Sequence, residues 1–117
     1  MPASLPLDPE HARHAAPGLD VAGIEHWARR FELLSDVNRL RLLVCLHHTP
    51  DQSVTDLAAA VGMTATAASH ALRLLRYQGW VTASKSGRIV RYRLADETVH
   101  ELLHWIGAPH ASEPSPL

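Results

Sequence analysis

The sequence predicts a mainly α domain with one small β-hairpin, an α+β chain in the order α-α-α-α-β-β-α. Three observations predict it. Apolar residues recur at i, i+3, i+4 and i+7, as Ile24, Trp27, Ala28 and Phe31 and again as Val99, Leu102, Leu103 and Ile106, the spacing of one helix face. Gly62 stands between two helical patterns, where a left-handed helix terminator belongs. In WVTASKSGRIVRYRL the period falls to two on either side of Ser84-Lys85-Ser86-Gly87, which reads as a hairpin with a glycine tip.

The elements follow in order. Residues 1–19 hold four prolines and no sustained apolar period, so a flexible N-terminal arm is expected there. A first helix starts near Asp20 and carries Ile24, Trp27 and Phe31 on one apolar face. Ser35 or Asp36 caps a second helix, which runs through Leu40, Leu43 and Val44 to about His48. A short helix spans Thr55 to Val61, and a fourth runs from Thr64 to Gln78 before Gly79. After the hairpin, Asp96 caps a last helix that Gly107 ends. The domain is thus residues 20–107, with a flexible tail at 108–117 rich in proline.

Composition narrows the function. The chain has 117 residues, 46% hydrophobic and 20% charged, enough apolar material for one compact core. A single cysteine, Cys45, excludes an intramolecular disulfide framework and suits a reducing compartment. No apolar run approaches the ~20 residues of a membrane span, and the first residues do not read as a secretory signal. A soluble, cytoplasmic protein is expected. No phosphate-binding glycine loop, HExxH or nucleophile-elbow motif is present, which argues against an enzyme.

Net charge is −1, but it is unevenly spread. Between Arg39 and Arg93 lie eight basic residues and only two acids, Asp51 and Asp56, a balance of +6 against −7 for the rest. A basic middle between acidic flanks is how a small domain turns one cationic face to a polyanion. On the fourth helix Ala68, Ala71, Leu72 and Leu75 form the core stripe. Thr66, Ser69, His70, Arg73, Arg76 and Tyr77 fall on the outer side. Short hydroxyls and a histidine in the first half suit base edges in a major groove; the two arginines suit phosphates. Thr64 at the helix start, and Lys85 and Arg88 around the hairpin tip, extend the same surface toward a backbone or minor groove. Helix, glycine turn, longer helix and basic hairpin together make a winged helix-turn-helix, and the partner this predicts is double-stranded DNA.

LLSDVNRLRLLVCL, SVTDLAAAVGMTATAASHALRLLRYQGWV and GRIVRYRLAD resemble the ArsR/SmtB family of bacterial repressors over about residues 22–106. The Ser-His-x-Leu of the fourth helix, the Leu-Arg-x-x-Gly after it and the Gly-Arg-x-x-x-Tyr of the hairpin carry the resemblance. It implies a homodimer built from the first and last helices, here Ile24, Trp27, Phe31, Val99, Leu102, Leu103 and Ile106. Their apolar faces fit, because so small a domain cannot cover both alone. It also implies a repressor released from its operator by an inducer, often a metal ion.

This chain departs from two sensor patterns of that family. Where a Cys-x-Cys cluster would lie, the sequence reads QSVTDL, with Ser53 in place of a thiolate. Where the last helix would read Asp-x-His followed ten residues later by His-x-x-Glu or His, Asp96 is followed by Thr98, and the spacing leads to Pro109. That helix offers its own constellation instead. Asp96, Glu97, His100 and His104 fall within about one quadrant, and His100 and His104 at i, i+4 can share one ion. His110 in the tail, and His11 and His14 in the arm, are further imidazoles within reach of a dimer. Imidazole and carboxylate without sulfur suit nickel, cobalt or zinc.

Other readings stay open. His47 and His48 sit at a helix end, where the dipole favours cations, and His26 can simply pack. The inducer can be a non-metal, or there can be none, with Cys45 then of interest. A winged helix used for protein–protein contact is the rival class; it calls for an apolar, aromatic-rich face on the 64–77 helix, where this sequence puts Arg, Ser and Thr.

Overall fold

The computed structural model describes residues 5–19 and 23–108. Residues 1–33 and 34–117 form two separate compact units. Asp20, expected to cap a helix, and residues 109–117 with His110 lie outside the described residues.

In the first unit, α1 spans Pro9–Ala15 and runs into a 3-10 turn at Ala16–Leu19. The sequence reading expected no regular element here. Local capping overrides the weak periodicity. Asp8 accepts the backbone N–H of Glu10 at 3.1 Å and of His11 at 3.2 Å, and Pro9 stands at the first helical position, which suits its fixed φ. α2 spans Ile24–Leu34. Trp27 and Phe31 meet with ring centroids 5.8 Å apart, and the Arg30 guanidinium lies 5.2 Å from the Trp27 ring centre. No α2 residue is buried, and Ile24 and Phe31 are exposed.

The second unit is the core. It contains α3 (Val37–His48), β1 (Gln52–Ser53), α4 (Val54–Val61), α5 (Ala65–Tyr77), β2 (Val81–Ser86), β3 (Ile89–Leu94) and α6 (Glu97–Trp105). Each helix starts on a side-chain cap that occupies one otherwise unpaired N–H. Asp36 accepts from Arg39, Ser53 from Asp56, Thr64 from Ala67 and Asp96 from Val99. α4 thus begins one residue before the expected Thr55, because Ser53 is the hydroxyl placed to cap it. Gly62 at φ 78° closes α4 and donates to the Ala58 carbonyl, a left-handed conformation that side chains resist.

α3 packs on α4, α5, β3 and α6. The face it uses is Leu42, Leu43, Leu46 and His47, all buried. Leu40 and Val44 on the same helix are only half-buried. Together with Leu57, Leu72, Leu75, Trp80, Val81, Val99 and Leu103, the three leucines of α3 close the core. Fully burying such a side chain contributes about 1.5–3 kcal/mol each.

The sheet has three strands in the order β1-β3-β2, all antiparallel. The short strand β1, absent from the sequence reading, pairs Gln52 with Tyr92 and Ser53 with Arg91. The hairpin tip is tighter than expected. Ser84 to Ser86 continue β2, and Ser86 pairs with Ile89, so the turn is Gly87-Arg88 with Gly87 at φ 64°. A two-residue turn needs positive φ at its first position, which glycine supplies without strain. Lys85 therefore lies on β2, opposite Val90, rather than at the tip.

Asp51 ties the loop before β1 to β3. The Arg93 guanidinium donates both to Asp51 Oδ1, at 2.9 Å, and to Oδ2, and Arg91 donates to the Asp51 carbonyl at 3.2 Å. The hydrogen bond from Arg93 holds the Asp51 carboxyl below its ordinary 3.8. Asp51 sits at φ 62°, a conformation Asn also tolerates. A carboxyl depressed in the fold contributes stability above its unfolded value and loses it as pH falls through the folded one. Asp51→Asn should therefore be less stable than the parent chain near neutrality, with the gap closing on acidification; urea unfolding across a pH series checks this. Leu72→Ala should cost about 2–5 kcal/mol in the same assay, since Leu72 is wholly buried.

Candidate nucleic-acid interface

Among the described residues α5 is the longest helix, at 13 residues. Its inner side, Ala68, Leu72 and Leu75, is buried, and Ala71 is half-buried. The other side is open. Thr66, His70, Arg73, Arg76 and Tyr77 are exposed, and Ser69 is half-buried between the two sides. His70, Arg73, Leu74 and Tyr77 border a shallow depression on that outer face. Thr64 is exposed, and its hydroxyl oxygen accepts the Ala67 N–H at 3.1 Å, so its lone pair serves the cap while its own O–H remains a donor. α5 packs on β2, the strand of Lys85, and both Lys85 and Arg88 are exposed.

Apart from Arg39 and Arg41 on α3, the basic segment divides into two groups. Arg91 and Arg93 are engaged by Asp51. Arg73, Arg76, Lys85 and Arg88 are exposed cations on α5 and the wing.

Five of the described histidines fall into three places. His11 and His14 are engaged within α1: His11 Nδ1 lies 3.0 Å from the Asp8 carboxylate, and His14 Nδ1 donates to the Glu10 carbonyl at 3.1 Å. On α6, His100 is half-buried and His104 exposed, one turn apart. Asp96, expected beside them as a ligand, uses Oδ1 to cap α6, accepting the Val99 N–H at 2.9 Å. The third place is His47. The sequence reading left it at a helix end with His48, but it is buried against α6. Its ring centroid lies 4.6 Å from that of His100 and 6.5 Å from that of His104. The signal was present: His47 follows Leu43 by one helical turn, on the face that carries the core. As the side chains stand, no three His, Cys, Asp or Glu among the described residues are arranged to hold an ion.

Cys45 is half-buried and lines an apolar groove with Val37, Leu40, Val44 and Val61. Its sulfur accepts a hydrogen bond from Gln52 Nε2 at 3.4 Å. Of the residues expected at a dimer interface, Val99 and Leu103 are 1% exposed and already used inside the subunit. α6 presents its two apolar sides differently: Val99 and Leu103 face inward, while Ile106 and the unforeseen Trp105 are exposed and Leu102 is half-buried.

Known proteins share this architecture and sequence. A homodimeric winged helix-turn-helix DNA-binding domain from Mycobacterium bovis, described as a possible ArsR-family transcriptional regulator, superposes with a TM-score of 0.63 at 30% identity. The match covers 79% of this chain and 81% of that one. The HTH-type transcriptional regulator NmtR of Mycobacterium tuberculosis is 41% identical over 91 residues, 78% of this chain and 74% of that protein. The transcriptional repressor SmtB homolog of Synechocystis is 39% identical over 107 residues, 89% of this chain and 78% of that protein. The chain belongs to the ArsR/SmtB family. A model of the MarR family also matches residues 37–90, from α3 into β3. As an ArsR/SmtB protein the chain is a DNA-binding transcriptional regulator and not an enzyme. No helix among the described residues is long and apolar enough to cross a membrane.

Arg73→Ala should leave stability within about 0.5 kcal/mol, because the side chain is exposed, and should weaken binding to the DNA upstream of the chain's own gene. If Arg73 meets a phosphate, the slope of log affinity against log salt should fall by about 1. Fluorescence anisotropy over a salt series reads both.

Proposed function

We propose that this chain is a homodimeric repressor that leaves its operator when α6 takes up a divalent transition-metal ion: nickel, cobalt or zinc. The observation that carries the reading is His100 and His104, two solvent-reachable imidazoles one turn apart on the last helix. Support comes from the homodimeric form of the M. bovis domain and from the repressor named among the relatives. The donor chemistry fits the ion class. Imidazole and carboxylate are at hand, and the only cysteine lies on α3 in an apolar groove, so soft thiophilic ions find no cluster.

In the free dimer, Thr64, Thr66, Ser69, His70, Arg73 and Arg76 of α5 enter the major groove, and Lys85 and Arg88 of the wing follow the backbone. Successive half-sites on one face of DNA lie about 34–36 Å apart, so the two α5 helices must keep a fixed separation. Ile24, Trp27 and Phe31 of α2 and Leu102, Trp105 and Ile106 of α6 are each apolar side chains offered to a second subunit, whose docking sets it. A bound ion supplies positive charge and fixed geometry at α6. His100 and His104, with Asp96 or the tail residue His110, would hold the ion, and the repressor would then leave its operator.

A coupling of ~1–3 kcal/mol corresponds to a 5–150-fold loss of operator affinity. Titrating nickel, cobalt or zinc into the protein–operator complex should show a loss of that size for one of them. The variant His100→Ala/His104→Ala should bind DNA as the parent does and lose the response. A response retained in the double variant would move the site off α6.

A further inference from the structure

α3 carries two apolar faces. One is the core face of Leu42, Leu43 and Leu46. The other is Val37, Leu40 and Val44, at the i, i+3, i+7 spacing of a single stripe. A helix that lies on a core needs only one apolar face. The second stripe is left partly open: Val37 is 62% exposed, and Leu40 and Val44 are half-buried. With Val61 at the end of α4 it walls a groove of about 670 Å³. That size, and an apolar wall with few polar groups, are typical of a small-molecule site. Two of the polar groups are Arg41 and His48, both exposed, and no acid among the described residues lines the groove. Arg41 belongs neither to the arginines held by Asp51 nor to the exposed cations of α5 and the hairpin. Among the described residues no acid pairs with it.

We propose that the groove between α3 and α4 binds an apolar monocarboxylic acid of the medium-chain fatty acid class. Its carboxylate sits on the Arg41 guanidinium, and its chain lies along the apolar stripe. A guanidinium takes a carboxylate through two parallel N–H···O bonds. From Arg41 to His48 the helix rises about 10 Å, a run that suits a medium-length acyl chain. The occupant is an anion because the fixed charge on the wall is Arg41, with no acid there to balance it. The site is separate from the α6 histidines and needs no metal. α4 also packs on α5, so a ligand held between α3 and α4 lies one helix away from α5.

The test is calorimetric titration of the full chain with octanoate and with 1-octanol, which has the same chain length and no charge. The parent should bind one octanoate per subunit, saturably, and 1-octanol at least about tenfold more weakly. Arg41→Gln should lose that preference and bind octanoate about as weakly as the parent binds 1-octanol. Arg41 is exposed, so this variant should fold as the parent does. Val44→Gln should weaken both ligands. The proposal is overturned by an absence of saturable octanoate binding in the parent, or by unchanged octanoate affinity in Arg41→Gln. Light scattering on the same proteins identifies the rival occupant. If the parent binds no octanoate and Val44→Gln dissociates its dimer, a second copy of the chain covers the groove and the proposal is overturned. Should Val44→Gln fail to fold, the comparison of Arg41→Gln with the parent decides alone.

Discussion

Burial of one face of α3 is the constraint on which the second unit rests. Leu42, Leu43, Leu46 and His47 occupy that face, and α4, α5, β3 and α6 all pack on the helix that carries it. The long helix α5, the strand β3 and the helix with the paired histidines are thereby referred to a single rigid body. Tight interiors transmit displacement because they hold few voids in which to absorb it. A shift of α6 against α3 cannot be taken up locally by soft loops.

Electrostatics is arranged around the same body. Asp51 holds Arg91 and Arg93 at the base of the sheet, whereas Arg73, Arg76, Lys85 and Arg88 are exposed to solvent. The near-neutral overall charge is therefore a poor guide to the surface that DNA meets. Acids lie mainly in the flanks, and α5 and the hairpin carry exposed cations.

Much of this was legible in the sequence. α5 and α6 announce themselves by strong apolar period and by caps, Thr64 and Asp96, that the structure uses as expected. The polar side of α5 was read correctly because helical spacing alone assigns sides. What escaped had weak local signals. β1 is two residues long and exists only because β3 offers a free edge, and no pattern of period two fits in two residues. α1 has no buried side to mark it; a cap and a proline make it. Val99 and Leu103 read as interface because an apolar stripe does not say which neighbour covers it; the partner is α3 of the same chain. His47 was missed because a polar residue on a core face invites a surface explanation.

The middle position of β3 has a consequence for the wing. A two-stranded ribbon alone is marginally stable in water, and a third strand with a helix behind it makes it persist. Here β1 pairs with β3 on the side away from β2, and α3 lies against β3. Lys85 and Arg88 thus sit on a hairpin whose conformational entropy is surrendered at folding. Little of that loss is left to be met when the hairpin encounters a partner, so its cations are held preorganised.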